Sequence, residues 1–92
     1  MIQSIDEVWE MIREKEGRCL KTYSGLDFSY TVKGHELFIS RKDKSITYSS
    51  VKKALEEVEN LCGIVSGPKE LGVFGASYLY PIFIEIGIIK NN

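Results

Sequence analysis

Basic and hydroxyl-bearing side chains, the groups with which proteins hold phosphate, gather in the middle of this chain. Residues 33–53 carry six basic and two acidic residues, a net charge of +4, although the whole chain has a formal net charge of −1. The candidate anion-binding residues are Arg41, Lys42, Lys44, Ser49, Ser50, Lys52 and Lys53. These residue types at this density predict a phosphate site, and the backbone of a nucleic acid is the partner that we expect for it.

Two of these lysines stand where a helix disfavours them. The N-terminus of a helix carries roughly half a positive charge, so acidic residues are favoured in its first turn. The helix predicted over residues 50–62 instead carries Lys52 and Lys53 in its first turn. A bound anion would turn this repulsion into attraction. Tyr48, expected to be exposed beside them, offers a ring on which an unpaired base can stack. The alternative interpretation is a solvated surface loop, because lysine and serine are common on surfaces.

The first element expected around this segment is an N-terminal helix. Ser4 and Glu7 have the spacing of a capping box, and Gly17 marks the end of the helix. Apolar residues recur at the helical spacing i, i+3, i+4, i+7, at Ile5, Val8, Trp9 and Ile12. The opposite face is mostly acidic, and residues 1–16 have a net charge of −3.

Three strands are expected next. Residues 19–24, 26–33 and 36–40 predict a three-stranded antiparallel meander, with Gly34 and His35 as a two-residue hairpin loop. The middle strand alternates, so that one face carries Leu26, Phe28, Tyr30 and Val32. An apolar sheet face needs a cover, and the helices are expected to provide it.

The second helix is expected over residues 50–62, with Ser49 or Ser50 as its N-cap and Gly63 after its end. Its apolar face consists of Val51, Ala54, Leu55, Val58 and Cys62. The sequence therefore predicts an α+β fold in one domain, residues 1–92: an N-terminal helix, the meander, and two helices packed on the sheet.

The last segment is ambiguous between a strand and a helix. Alternating isoleucines over residues 82–89 favour a strand, whereas the spacing of apolar residues from Leu79 favours a helix. We favour the helix, with Pro81 in its first turn and Gly87 at its end.

Several classes of function lack the residues they need. A single histidine, His35, leaves no metal site that needs two, and no nucleotide-binding or nucleophile motif is present. We therefore expect no catalytic residues, no metal, no cofactor and no enzyme activity. No apolar run is long enough to cross a membrane, and the N-terminus is acidic where a signal peptide is basic. The expectation is a cytoplasmic protein without a membrane partner, in which Cys19 and Cys62 are buried free thiols.

The chain resembles a group of small uncharacterised bacterial domains with a G-x-x-F-x-Y strand and a G-x-S-Y-x-Y C-terminal segment. The matching residues are 25–30, 39–41, 45–47 and 75–80. The resemblance implies an α–β–β–β–α–α layout and carries over no catalytic residues.

Two functions of different classes are compatible with these patterns. The first is a nucleic-acid-associated binding module that contacts phosphates through the basic segment. The second is a protein-interaction or homodimerisation domain, in which the acidic first helix of one copy meets the basic segment of another and the isoleucine-rich C-terminal segment supplies an apolar interface.

Overall fold

A computed structural model describes residues 4–41 and 45–89. In chain order the elements are α1 (Ile5–Glu14), β1 (Leu20–Lys21), β2 (Asp27–Phe28), β3 (Tyr30–Lys33), β4 (Glu36–Ile39), β5 (Ser45–Thr47), α2 (Tyr48–Asn60), a 3-10 helix (Pro68–Leu71) and α3 (Ala76–Glu85). The α+β class, the N-terminal helix, the antiparallel strands and the two later helices are confirmed.

The start of α1 is the predicted capping box. The Glu7 amide donates to Ser4 Oγ, and the Ser4 amide donates to Glu7 Oε1, both at 3.2 Å. The apolar stripe is buried at Val8, Trp9 and Ile12. The segment after the helix covers the outer edge of β3, because the Gly17 amide donates to the Tyr30 carbonyl and Glu16 Oε1 accepts from the Val32 amide.

The strand assignment differs from the expected meander. The three-stranded sheet has the order β3-β4-β5, while β1 and β2 form a separate two-stranded sheet. The third strand of the larger sheet is β5, which the sequence had suggested to be loop, and Leu37 pairs with Ile46 across β4 and β5. The expected strand over residues 26–33 is divided, because β2 pairs with β1 and β3 pairs with β4.

The larger sheet buries one face and exposes the other. The inner face carries Tyr30, Val32, Leu37, Ile39 and Ile46. Apolar residues of all three α-helices join this face in one core. Leu26, expected on the apolar face, is instead 49% exposed, because it lies in the turn between β1 and β2.

The last segment is the predicted helix rather than a strand. Because α3 begins at Ala76, Pro81 lies in the second turn and not in the first. Gly87 adopts a left-handed φ of 85° after the helix, and the Ile88 amide donates to the Phe83 carbonyl at 2.9 Å. These are the backbone features of a Schellman motif, which satisfies carbonyls at a helix end.

Helix α2 ends in a similar motif, but with a cysteine in the left-handed position. Cys62 has a φ of 56°, its amide donates to the Glu59 carbonyl at 3.1 Å, and the Gly63 amide donates to Val58 at 2.8 Å. This conformation turns the chain before Cys62 can continue the apolar face of the helix. The expectation of buried thiols is therefore wrong, since Cys19 and Cys62 are both exposed and free.

We expect Cys62→Gly to stabilise the protein by about 0.5–1 kcal/mol, because glycine adopts the left-handed conformation without a steric penalty. The free energy of unfolding from urea denaturation measures the change. Cys62→Ala removes the thiol but keeps the penalty, so its stability should stay close to that of the unchanged protein. Equal stabilisation by alanine and glycine would contradict this explanation.

The start of α3 lies against β5 through a glycine. Gly75 has a left-handed φ of 81°, and a Cβ atom at this position would lie 2.5 Å from Ile46 Cδ1. Ile46 is buried, so its side chain has little room to move away. The absence of a side chain at residue 75 therefore sets how closely α3 approaches the sheet.

Gly75→Ala should lower the free energy of unfolding by about 2–4 kcal/mol, through backbone strain and overpacking together. Gly72→Ala is a matched control, because Gly72 also has a left-handed φ but a Cβ there would meet nothing within 4 Å. We expect the control to cost about 1 kcal/mol. Adding Ile46→Val to Gly75→Ala should cost less than the two separate effects combined, and strict additivity would count against a steric contact.

Candidate nucleic-acid interface

The N-terminus of α2 is capped by Thr47 and not by Ser49 or Ser50. Thr47 Oγ1 accepts from the Ser50 amide at 3.2 Å, and the Tyr48 amide donates to the His35 carbonyl at 2.9 Å. Two backbone amides at the start of α2 thus have acceptors within the protein and are not free to bind a phosphate. Ser49 remains exposed in the first turn, whereas Ser50 is partly buried.

Lys52 and Lys53, expected in the first turn of the helix, lie in its second turn, because α2 begins at Tyr48. Both are available for a ligand. Lys52 and Lys53 are exposed on α2, whose opposite side is buried at Val51, Ala54 and Leu55. Among residues 4–41 and 45–89, neither ammonium group has an ion-pair partner. Their charge is therefore not neutralised by a close contact in the described part of the protein.

Arg41 belongs to a different end of the sheet. It follows β4, and its Nε donates a hydrogen bond to the Asp27 carbonyl. The Asp27 carboxylate accepts from Lys21 Nζ at 2.7 Å, and this hydrogen bond lowers the pKa of Asp27. Lys42 and Lys44, also predicted for the site, lie outside the described residues.

The sheet register separates Arg41 from the start of α2. Glu36, at the first end of β4, pairs with Thr47, which directly precedes α2. Arg41 lies past the other end of β4, and the four residues of a strand span about 10 Å from first to last. The described members of the predicted patch therefore form two basic groups at opposite ends of the sheet and no single phosphate pocket.

Tyr48 is not the exposed stacking platform that the sequence suggested. Its ring is partly buried, with centroids 5.3 Å from Trp9 and 4.9 Å from His35, both in edge contact. Its hydroxyl donates to Asp6 Oδ1 at 2.8 Å, and this hydrogen bond raises the pKa of Tyr48. Tyr48 therefore links α1 to α2, and its ring packs against Trp9 and His35 rather than standing free for a base.

The outer face of the three-stranded sheet carries an aromatic residue that sequence reasoning had not assigned to the site. Phe38 lies on the central strand and is 41% exposed. It pairs directly with Thr31 on one side and with Ser45 on the other. Lys33 Nζ lies 5.8 Å from the centroid of its ring, within the range of a cation–π contact. The alternation of β4 was the available signal, since Leu37 and Ile39 point inward and Phe38 must point outward.

We refer to this surface as the open sheet face. It consists of Thr31, Lys33, Glu36, Phe38, Ser45 and Thr47. The carboxylate of Glu36 accepts from the Ser45 hydroxyl at 2.7 Å. The face thus combines one aromatic ring with hydroxyl groups and one charge of each sign.

Other kinds of site have little support in the described part of the chain. No cluster of three or more His, Cys, Asp or Glu side chains there has the arrangement of a metal site. Nor does any helix among residues 4–41 and 45–89 have the length and apolar character to cross a membrane. Comparisons with protein-family models, with curated proteins and with solved structures find no match for this chain. The resemblance to small bacterial domains therefore stays a prediction.

The role of Thr47 as the N-cap of α2 can be tested by substitution. Thr47→Ala should lower the free energy of unfolding by about 1 kcal/mol, because the Ser50 amide loses its acceptor. Ser49→Ala is the control, and its effect should stay within about 0.5 kcal/mol, since Ser49 is an exposed helical residue. Thermal or urea unfolding followed by circular dichroism measures both. A larger loss of unfolding free energy for Ser49→Ala than for Thr47→Ala would indicate that Ser49, and not Thr47, caps the helix.

Proposed function

We propose that this protein is a non-enzymatic binding module for single-stranded nucleic acid, and that the open sheet face is its contact surface. The observation that carries the proposal is the exposed Phe38 ring at the centre of the sheet. An unpaired base can stack on such a ring, and stacking on aromatic side chains is the usual way in which proteins hold single strands.

The side chains around Phe38 can bind the sugar and the phosphate of a nucleotide. The Thr31 hydroxyl flanks the ring on β3, where it can donate to a sugar or phosphate oxygen. The Ser45 hydroxyl flanks it on β5 and donates to Glu36, so it can still accept from a sugar hydroxyl. The ammonium group of Lys33 lies over the same ring. Three strands are about 10 Å wide, which leaves room for about two stacked bases.

Basic side chains follow the ends of two of the strands. Arg41 lies past the end of β4, and Lys52 and Lys53 lie in the second turn of α2, which follows β5. A flexible single strand can reach cations at separated positions more easily than a rigid duplex can, because its backbone bends at each nucleotide. The separation of the two basic groups therefore favours a single strand as the ligand. The proposal keeps the cytoplasmic location expected from the sequence.

Phe38→Ala should weaken the binding of a fluorescently labelled 12-nucleotide RNA or DNA by about 5- to 150-fold, since stacking contributes about 1–3 kcal/mol per base. Phe38→Tyr keeps an aromatic ring and should retain most of the affinity. Phe74→Ala removes another exposed phenylalanine, which lies outside the sheet, and should leave the affinity unchanged. Fluorescence polarisation measures all three.

The salt dependence of the same titration tests the phosphate contacts. Arg41→Gln should reduce the slope of log K against log salt by about 0.7, the value for one phosphate contact on a single strand. The double change Lys52→Gln and Lys53→Gln should reduce it by up to about twice that amount. Unchanged affinity in Phe38→Ala, or a slope near zero in the unchanged protein, would sink the proposal.

A second candidate is homotypic assembly through opposite charges. The outer side of α1 exposes Asp6, Glu7 and Glu10, and the second turn of α2 exposes Lys52 and Lys53. The isoleucine-rich C-terminal segment supports this candidate less than expected, because Ile82 and Ile89 are buried in the core. Light scattering at high protein concentration and low salt separates the two proposals. Homotypic assembly predicts an oligomer, whereas the nucleic-acid module predicts a monomer.

A further inference from the structure

A cleft of about 420 Å³ lies between the turn at residues 22–26 and the segment that contains the 3-10 helix. Its walls come from three separate parts of the chain: residues 22–24, residues 66–70 and Ser77 at the start of α3. None of these residues belongs to the open sheet face. The volume falls within the range of roughly 300–1,000 Å³ that small-ligand sites occupy.

An aromatic ring stands at the edge of this cleft. Tyr23 is 67% exposed, and its ring meets the ring of Tyr80 in an edge contact, with centroids 5.7 Å apart. Tyr80 is buried, and its hydroxyl donates to the Val65 carbonyl at 3.3 Å. The buried Tyr80 thus steadies one part of the Tyr23 ring and leaves most of Tyr23 open to a ligand.

Hydroxyl groups supply much of the polar chemistry of the cleft. Thr22 Oγ1 accepts from the Leu26 amide at 3.0 Å and lies 3.1 Å from Ser24 Oγ, which fixes the turn. On the opposite wall, Glu70 Oε1 accepts from the Ser66 amide at 2.7 Å. A hydroxyl group both donates and accepts, so serine and tyrosine hydroxyls here can serve ligand groups of either kind.

The charges of the lining cancel. Lys69 and Glu70 are the only charged residues among those that line the described cleft, and they have opposite signs. A strongly anionic ligand would meet the Glu70 carboxylate, and a cationic ligand would meet the Lys69 ammonium group. The lining therefore favours a ligand without net charge.

We infer that this cleft binds a neutral saccharide. A sugar ring has an apolar face of C–H groups, which can lie on the exposed Tyr23 ring, and a rim of hydroxyls that both donate and accept. The serine hydroxyls, the Glu70 carboxylate and the Lys69 ammonium group match that rim. The open sheet face differs in that basic side chains follow the ends of two of its strands, as a polyanion requires. The two proposals are independent, because they use different residues.

Amide chemical-shift titrations with maltotriose, cellotriose and chitotriose test the inference on the full chain. At least one of these sugars should shift amides of residues 22–24, 66–70 and 77, with a dissociation constant on the order of 1 mM. Tyr23→Ala should weaken this binding at least about tenfold, whereas Tyr23→Phe keeps the ring and should weaken it about threefold or less. Leu26→Ala is the matched control, because Leu26 is exposed in the same turn but does not line the cleft.

Three results would overturn the saccharide assignment. One is the absence of shifts with all three sugars at about 20 mM, well above the expected dissociation constant. Another is equal binding by Tyr23→Ala and the unchanged protein. The third is a proline-rich peptide that shifts the same amides when none of the sugars does, which would assign the cleft to a peptide. Loss of RNA or DNA binding in Phe38→Ala leaves each of these outcomes unaffected.

Discussion

The contact between Ile46 and Gly75 is the constraint on which the arrangement of the sheet and the last two helices depends. Ile46 is the central residue of a three-residue strand, it pairs with Leu37, and its side chain is buried against the start of α3. A strand of this length has little stability from its own hydrogen bonds. The packing of Ile46 in the core therefore holds β5 in register. Thr47 and the beginning of α2 follow directly from that register.

The same register determines which side chains share the outer surface. Because Phe38 faces Thr31 and Ser45 across the sheet, a shift of β4 by one residue would bury Phe38 and expose Leu37. The apolar inner face thus makes the exposed ring obligatory. The candidate interface is in this sense a consequence of the core, since no separate interaction is needed to turn Phe38 towards solvent.

The helices could be predicted because their signals are local. The capping box at Ser4 and the apolar spacing in α1, α2 and α3 depend on residues within two or three turns. Strand β5 could not, because a strand of three residues is too short to show a periodicity of its own. The exposure of Cys62 is not apparent from the sequence either. Gly63 predicts the end of the helix, but the left-handed conformation already begins one residue earlier, at Cys62.

The candidate site was predictable in its residue types and not in its geometry. Lys52 and Lys53 are exposed as cations, but nothing local in the sequence shows that β5 separates them from Arg41. Tyr48 was also misplaced, because its hydrogen bond to Asp6 joins residues 42 positions apart. Phe38 is predictable from the alternation of β4, whereas the charges of the neighbouring segment favour lysine and arginine as candidates.

The cover on the edge of β3 has a consequence for the behaviour of the protein at high concentration. An exposed strand edge is a template on which another chain can add and aggregation can begin. Here the Tyr30 carbonyl already accepts from Gly17, and the Val32 amide already donates to Glu16. An incoming strand would have to displace both bonds before it gained any of its own. The open sheet face can therefore stay uncovered while this edge resists growth into fibrils.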